Sequence, residues 1–159
     1  MLEPASLRFD TRRDCEAHWR QVVGLARMRL DMFDPDCSVF PLGAVDVETL
    51  LRGFFAAGGR LRLALHDSRH IERHAPRFLR LQRDYGHLIE CRQTPRTLRH
   101  LTDSFTIADD LHVLRRFHSD HMRGEAAFAM PSAVELPAHR FGLLWEEAHP
   151  ALKTTLTGL

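Results

Sequence analysis

The sequence predicts one α/β domain over residues 1–159: a layered, mixed and mainly parallel sheet with flanking helices. Strand-like and helix-like segments alternate through the first hundred residues, the order that parallel strands with right-handed crossovers require. The Asp34–Pro35 step and the Gly58–Gly59 pair punctuate that alternation where elements must stop. Near residue 110 two short strand patterns meet at Asp109–Asp110, adding a strand pair before a closing helix.

Each element follows from its pattern. "SLRFDT" (6–11) alternates Leu7 and Phe9 with polar residues, as a half-buried strand does. Thr11 is a plausible helix cap, with Asp14 in the first turns; Trp19, Val22, Val23 and Ala26 then form a helical stripe. "RMRLDMF" (27–33) is a second strand, and Asp34 before Pro35 reads as a turn or a helix cap. "VDVETLLRGFFAAGG" (45–59) is an amphipathic helix, "RLRLALHD" (60–67) a third strand, and 68–84 a helix interrupted at Pro76. "HLIECRQT" (87–94) is a fourth strand, and 104–117 two more with Asp109 and Asp110 as their turn. Polar 118–132 is expected to be a long connection, 133–148 the closing helix and "TTLTGL" a tail.

Composition bounds the function. Hydrophobic content of 44% with 27% charged residues is that of an ordinary globular domain. A net charge of +1 gives no overall field toward nucleic acid or a membrane surface, so nucleic-acid binding would need a one-sided arginine patch. Lys153 is the one lysine among 22 basic residues, which excludes lysine chemistry from the body of the domain. Cys15, Cys37 and Cys91 are widely spaced and contain no CxxC pair, so they read as reduced, packed thiols. The first residues carry no basic-then-apolar signal pattern and no run approaches a membrane span; a cytoplasmic location is expected, with no membrane association.

"HDSRHIERH" (66–74) spaces His66, His70 and His74 four apart, one face if a single helix held them all. His66 falls at a strand end, however, which leaves His70 and His74 as a pair on a solvated, arginine-rich helix face. No metal and no cofactor are expected; those two histidines are the weak candidates. In open α/β sheets ligand pockets form beyond the carboxyl ends of the strands. Asp31, Asp34, His66, Arg69, Arg116 and His118 are placed there as candidate anion or ligand contacts, arginine being suited to bidentate contact with phosphate or carboxylate. Arg115 and Arg116 alternate on a strand, so only one can face a given cleft.

"TDSFTIADDLHVL" (102–114) resembles the strand–turn–strand that carries the catalytic motif of the phospholipase D superfamily, H-x-K-x4-D. Thr102 and Ser104 stand at the His and Lys positions and Asp109 at the Asp position, so the frame is present in degenerate form. The resemblance gives that His the role of nucleophile and that Lys the role of stabilising the phosphate charge; neither group is here. Nearly the whole chain, through "LDMFDPD", "PRFLRLQRDYGHLIECRQT", "DSFTIADDLHVLRRFHSDHMRG" and "RFGLLWEEAHPALKTTLTGL", is similar to a bacterial family of unknown function that looks like a single phospholipase D half-domain. The resemblance implies a non-catalytic domain that binds a small anion or a protein partner. Because active members build one site from two halves, it also implies a symmetric homodimer. Two alternatives stand beside it. One is a phosphoester hydrolase with a relocated set, such as Asp31, His66, Arg116 and His118. The other is a nucleic-acid binder.

Overall fold

Strand β1 (Ala5–Phe9) passes into helix α1 (Arg12–Leu25) through Thr11, whose hydroxyl accepts the amide N–H of Asp14 at 3.1 Å. The cap fixes where the chain turns from extended to helical, and Trp19, Val22 and Val23 then face inward one turn apart. The computed structural model describes residues 2–152; Lys153 and the expected "TTLTGL" tail lie outside the described residues. After α1 come β2 (Arg29–Asp34), α2 (Val45–Ala56) and β3 (Arg60–Leu65). They are followed by α3 (Arg69–His74), α4 (Pro76–Asp84), β4 (Ile89–Gln93), β5 (Ser104–Ala108), β6 (His112–Arg116), β7 (Gly124–Phe128), α5 (Pro131–Glu147) and the two-residue β8 (His149–Pro150). A single 3-10 turn, Arg96–Leu98, lies between β4 and β5.

The sheet is mixed, in the order β1-β7-β6-β5-β2-β3-β4-β8. The expected preponderance of parallel pairs is corrected: only β2–β3 and β3–β4 are parallel, and the other five pairings are antiparallel. Two causes account for this. β1 crosses to the far edge instead of lying beside β2, and the expected connection 118–132 contains β7, which extends the β5–β6 hairpin. "GEAAF" has no β-branched residue, so its strand character comes from pairing with β1 and β6 and not from propensity. The closing helix begins at Pro131, two residues early, with proline in its first turn. No helix follows Asp34 directly; residues 35–44 are a loop.

Several stops are as the sequence predicts. Gly58 takes a positive φ of 92°, and the amides of Gly58 and Gly59 return to the carbonyls of Phe55 and Phe54 at 2.9 Å each, ending α2. A Cβ on Gly59 would lie 2.4 Å from the Phe54 ring, so close packing there also requires glycine. Pro76 separates α3 from α4. Asp109 and Asp110 both have φ of 56°, the conformation of a two-residue hairpin turn between β5 and β6.

Asp109 does more than turn. Its carboxylate accepts the amides of Arg27, Met28 and Arg29, each at 2.8 Å, so the hairpin tip holds the start of β2. Asp109→Ala removes both acceptor oxygens, and with them all three hydrogen bonds, at a partly exposed site. It is expected to cost about 2 kcal/mol, seen as a fall of several degrees in Tm. Asp109→Asn, which keeps one acceptor oxygen, should fall between the two in the same melting experiment.

Alternation divides the buried residues between two faces. Leu30, Met32, Leu63, Leu114 and Ala126 pack under α1, α2 and α4 with Trp19, Leu51, Phe55 and Phe78. Phe33, Ile107, Phe105, Val113 and Ala127 meet Phe141, Leu144 and Trp145 of α5 on the other face. The Trp19 indole N–H donates to the Thr106 hydroxyl at 3.0 Å, so the largest buried ring leaves no polar atom unpaired. Arg62 and Arg92 stack on Trp145 at 5.5 and 4.3 Å, closing the edge of the second layer.

Candidate anion-binding cleft

The last residue of β2 and the first of β5 sit side by side, because Phe33 is in register with Phe105. Asp34 and Ser104 therefore share the α1 face, and the Ser104 hydroxyl donates to one Asp34 oxygen. The other oxygen accepts the amides of Asp36 at 2.9 Å and Cys37 at 2.5 Å, so Asp34 organises a loop and not a helix start. Burial pushes the Asp34 carboxyl up to about 6, outweighing these three hydrogen bonds, which pull it down. Ser104, at the Lys position of the motif frame, has no exposed surface.

The other predicted contacts are dispersed. Asp31 lies on the opposite face from Asp34, three residues back from the strand end. Arg62 holds it at 2.8 and 3.1 Å and Arg29 at 3.2 Å. His66 is on that same face: its Nε2 lies 2.7 Å from the Leu101 carbonyl, its Nδ1 bonds the Thr94 hydroxyl, and Phe33 meets the ring edge-on. With Nε2–H as donor and Nδ1 as acceptor, the neutral ring satisfies both bonds, and burial lowers its pKa. Arg69 is exposed and forks onto Asp67 at 2.6 to 3.1 Å. Arg116 donates to the carbonyls of Ser119 and His121 at 2.7 Å each and so holds the turn that leads to β7. His118 stands in that exposed turn beside Asp120. The set Asp31, His66, Arg116 and His118 thus occupies two faces and an outer turn and does not converge.

The histidine ladder divides as the strand boundary predicts. His70 and His74 lie side by side on α3 with ring centroids 4.9 Å apart and planes tilted by 45°, while His66 is bonded elsewhere. Among the described residues no three His, Cys, Asp or Glu side chains form a group that could hold a metal ion. The three cysteines are buried, and burial pushes the thiols of Cys15 and Cys91 up to about 11 and about 12. Among the described residues no helix is long and apolar enough to cross a membrane.

What remains open at the strand ends is a cleft of about 440 Å³ lined by His100, Leu101, Thr102, Asp103, Arg115, Arg116 and Phe117. Thr102, at the His position of the frame, is half-buried there. Asp103 is bonded through both oxygens to Arg140 of α5. Arg115 is the free cation. Its guanidinium lies 5.5 Å above the Phe117 ring, and no carboxylate is within ion-pair distance among the described residues. Both Arg115 and Arg116 line this cleft, which corrects the expectation that only one could face it; Arg116 is held by the Ser119 and His121 carbonyls, and Arg115, the one not chosen from the sequence, is the unencumbered one. Phe117 also borders a second cleft of about 590 Å³ with Arg8, Asp10, Asp14, His121 and Arg123, which depends on the unforeseen pairing of β1 with β7.

A family described as a domain of unknown function, DUF7931, matches residues 11–155, and the chain belongs to that family. No curated protein matches it in sequence. Its fold is that of the phospholipase D family. Nuc from Salmonella typhimurium, a phospholipase D family member, superposes with a TM-score of 0.68 at 13% identity over 94% of this chain and 99% of that one. NucT from Helicobacter pylori gives 0.66 at 10% identity, over 94% and 100%. TrmBL2, an archaeal chromatin protein with a novel mode of DNA binding, gives 0.68 at 14% identity over 92% of this chain but only 54% of its own. At these identities the likeness is one of fold.

Proposed function

We propose that the chain is a non-catalytic phospholipase D-like domain that binds a small phosphate-bearing anion in the Thr102–Arg115 cleft. The observation that carries this reading is Arg115, a cation at the cleft with no acidic partner among the described residues and with Phe117 supporting its guanidinium. The placement of the frame residues supports the absence of catalysis. The Ser104 hydroxyl is buried and committed to Asp34, and Thr102 has no hydrogen bond to an imidazole among the described residues. A hydroxyl without a base to take its proton is a poor nucleophile.

Calorimetric titration with pyrophosphate tests the reading. The wild type is expected to bind, with affinity falling as salt rises, and Arg115→Gln to weaken binding at least about tenfold, the worth of one charge-assisted contact. Unchanged affinity in Arg115→Gln would remove this cleft as the site. In parallel, bis(4-nitrophenyl) phosphate is expected to show no turnover above buffer. Turnover lost in His118→Ala would favour the hydrolase reading instead.

A further inference from the structure

We infer that the arginines at the other end of the sheet from the Thr102–Arg115 cleft form a second site, which takes a phosphoryl group. The inference concerns different residues from the proposed function and does not depend on it. Where β2, β3 and β4 begin, Arg29, Arg60 and Arg62 line a cleft of about 280 Å³ together with His87 and Glu90. Arg29 is in register with Arg60 on the neighbouring strand, and Arg62 follows Arg60 two residues along. Alternation therefore puts all three on one face of the sheet. Like charges set side by side on adjacent strands repel, and an anion between them relieves the repulsion.

Asp31 fixes the arrangement. Its side chain is almost fully buried and is shared by Arg29 and Arg62. Arg62 donates to it from Nε at 2.8 Å and from Nη2 at 3.1 Å. The same guanidinium lies 5.0 Å from the Phe141 ring and 5.5 Å from that of Trp145. Arg29 meets Asp31 through Nε at 3.2 Å and donates from Nη2 to Asp110 at 2.8 Å. Both guanidinium groups are thus held in place without a ligand, and among the described residues both keep Nη1 uncommitted. Arg60 is exposed and has no carboxylate within ion-pair distance among the described residues, so its whole fork is free.

The remaining acid does not supply the missing charge. Glu90 is in register with Arg62, yet its carboxylate pairs with Arg92 at 2.9 Å. Three guanidinium groups therefore meet two carboxylates, those of Asp31 and Asp110, and one positive charge is left over. The uncommitted donors come from three separate side chains, and arginine forks match the paired oxygens of a phosphoryl group. One such group, free or at the end of a phosphorylated molecule, can accept from all three.

Calorimetric titration of inorganic phosphate into Arg115→Gln, which removes the free cation of the other cleft, tests this. Arg115→Gln is expected to bind phosphate. Adding Arg60→Gln to it is expected to weaken that binding at least about tenfold, the worth of one charge-assisted contact. Glycerol 3-phosphate binding more tightly than inorganic phosphate would point to a phosphorylated molecule as the ligand, and the reverse order to the free oxyanion. Melting gives a second readout. Without phosphate, Arg60→Gln should be at least as stable as wild type, because it removes a like charge; phosphate should then raise the wild-type Tm by more than that of Arg60→Gln. If Arg115→Gln does not fold, this comparison decides. No phosphate binding in Arg115→Gln, or an affinity that Arg60→Gln leaves unchanged, overturns the inference and leaves the Arg115 cleft to its own titration.

Discussion

Asp34→Asn is expected to raise the thermal stability of the protein at pH 7.5 by about 2 kcal/mol, although it removes a carboxylate that makes three hydrogen bonds. The carboxyl is almost fully buried and its pKa is pushed up from 3.8 to about 6. Folding therefore favours the protonated form. The stability that Asp34 contributes is fully present below the unfolded value near 4 and is lost as pH rises through 6, so at neutral pH the fold carries a buried charge. Asparagine can keep the network: its carbonyl oxygen accepts the Asp36 and Cys37 amides, and its amide faces the Ser104 oxygen, which becomes the acceptor. The sign differs for His66, whose lowered pKa makes its contribution present above 6.5 and lost on acidification. The two groups thus act in opposite directions on wild type between pH 7 and 5, and Asp34→Asn, which keeps only the His66 contribution, should lose more stability on acidification than wild type. Melting curves at pH 5.0, 6.0 and 7.5 distinguish the cases. A variant less stable than wild type at pH 7.5 would mean that the ionised carboxylate is needed where it stands.

Gly124→Ala is expected to be severely destabilising, by about 3 kcal/mol or more, because the added carbon has nowhere to go. It would sit 2.0 Å from the Arg115 carbonyl oxygen and 2.3 Å from the Phe9 ring. The ring could tilt, but the carbonyl belongs to the backbone of β6, the strand hydrogen-bonded to β7. Relief therefore means separating strands at the corner where β1, β6 and β7 meet. Gly53→Ala is the control. Its Cβ would meet nothing within 4 Å on α2, and it should gain about 0.5–1 kcal/mol from helix propensity alone. Chemical denaturation of the two variants should move the midpoint in opposite directions. Equal midpoints would contradict the pairing of β7 between β1 and β6.

From Thr11 to Gln93 the elements are legible because each is bounded by a residue with a local job: a capping hydroxyl, a glycine pair, a proline. The Asp109–Asp110 turn is legible for the same reason. β7 is not, since alanine and glycine carry no strand preference and their role appears only when two neighbours pair with them. Pairing direction is likewise non-local: nothing in "SLRFDT" tells that its partner is "GEAAF". The site divides along the same line. Alternation separates Arg115 from Arg116 but keeps neither out of the cleft, which both line; which of them is free follows from the carbonyls of Ser119 and His121, which occupy Arg116. His66 is placed near a strand end by its sequence, but Thr94 and Leu101, which consume its nitrogens, come from a segment whose path the sequence does not reveal.

The pairing of Ala5 with Phe128 has a consequence for how the molecule is made. α1 covers β5, β6 and β7, so Trp19 and its neighbours wait for strands that leave the ribosome long after them. At about 5–20 residues per second that interval is on the order of ten seconds. During it the β2–β3–β4 parallel unit can assemble with α2 and α4, while the first strand lacks its partner and α1, though it can already meet Phe40 and α2, lacks the three strands it covers. The chain's beginning is thus among the last parts to settle. Loss of the β7 strand would be expected to leave a compact half-sheet with a loose amino-terminal segment, a species prone to associate with its own copies through that segment.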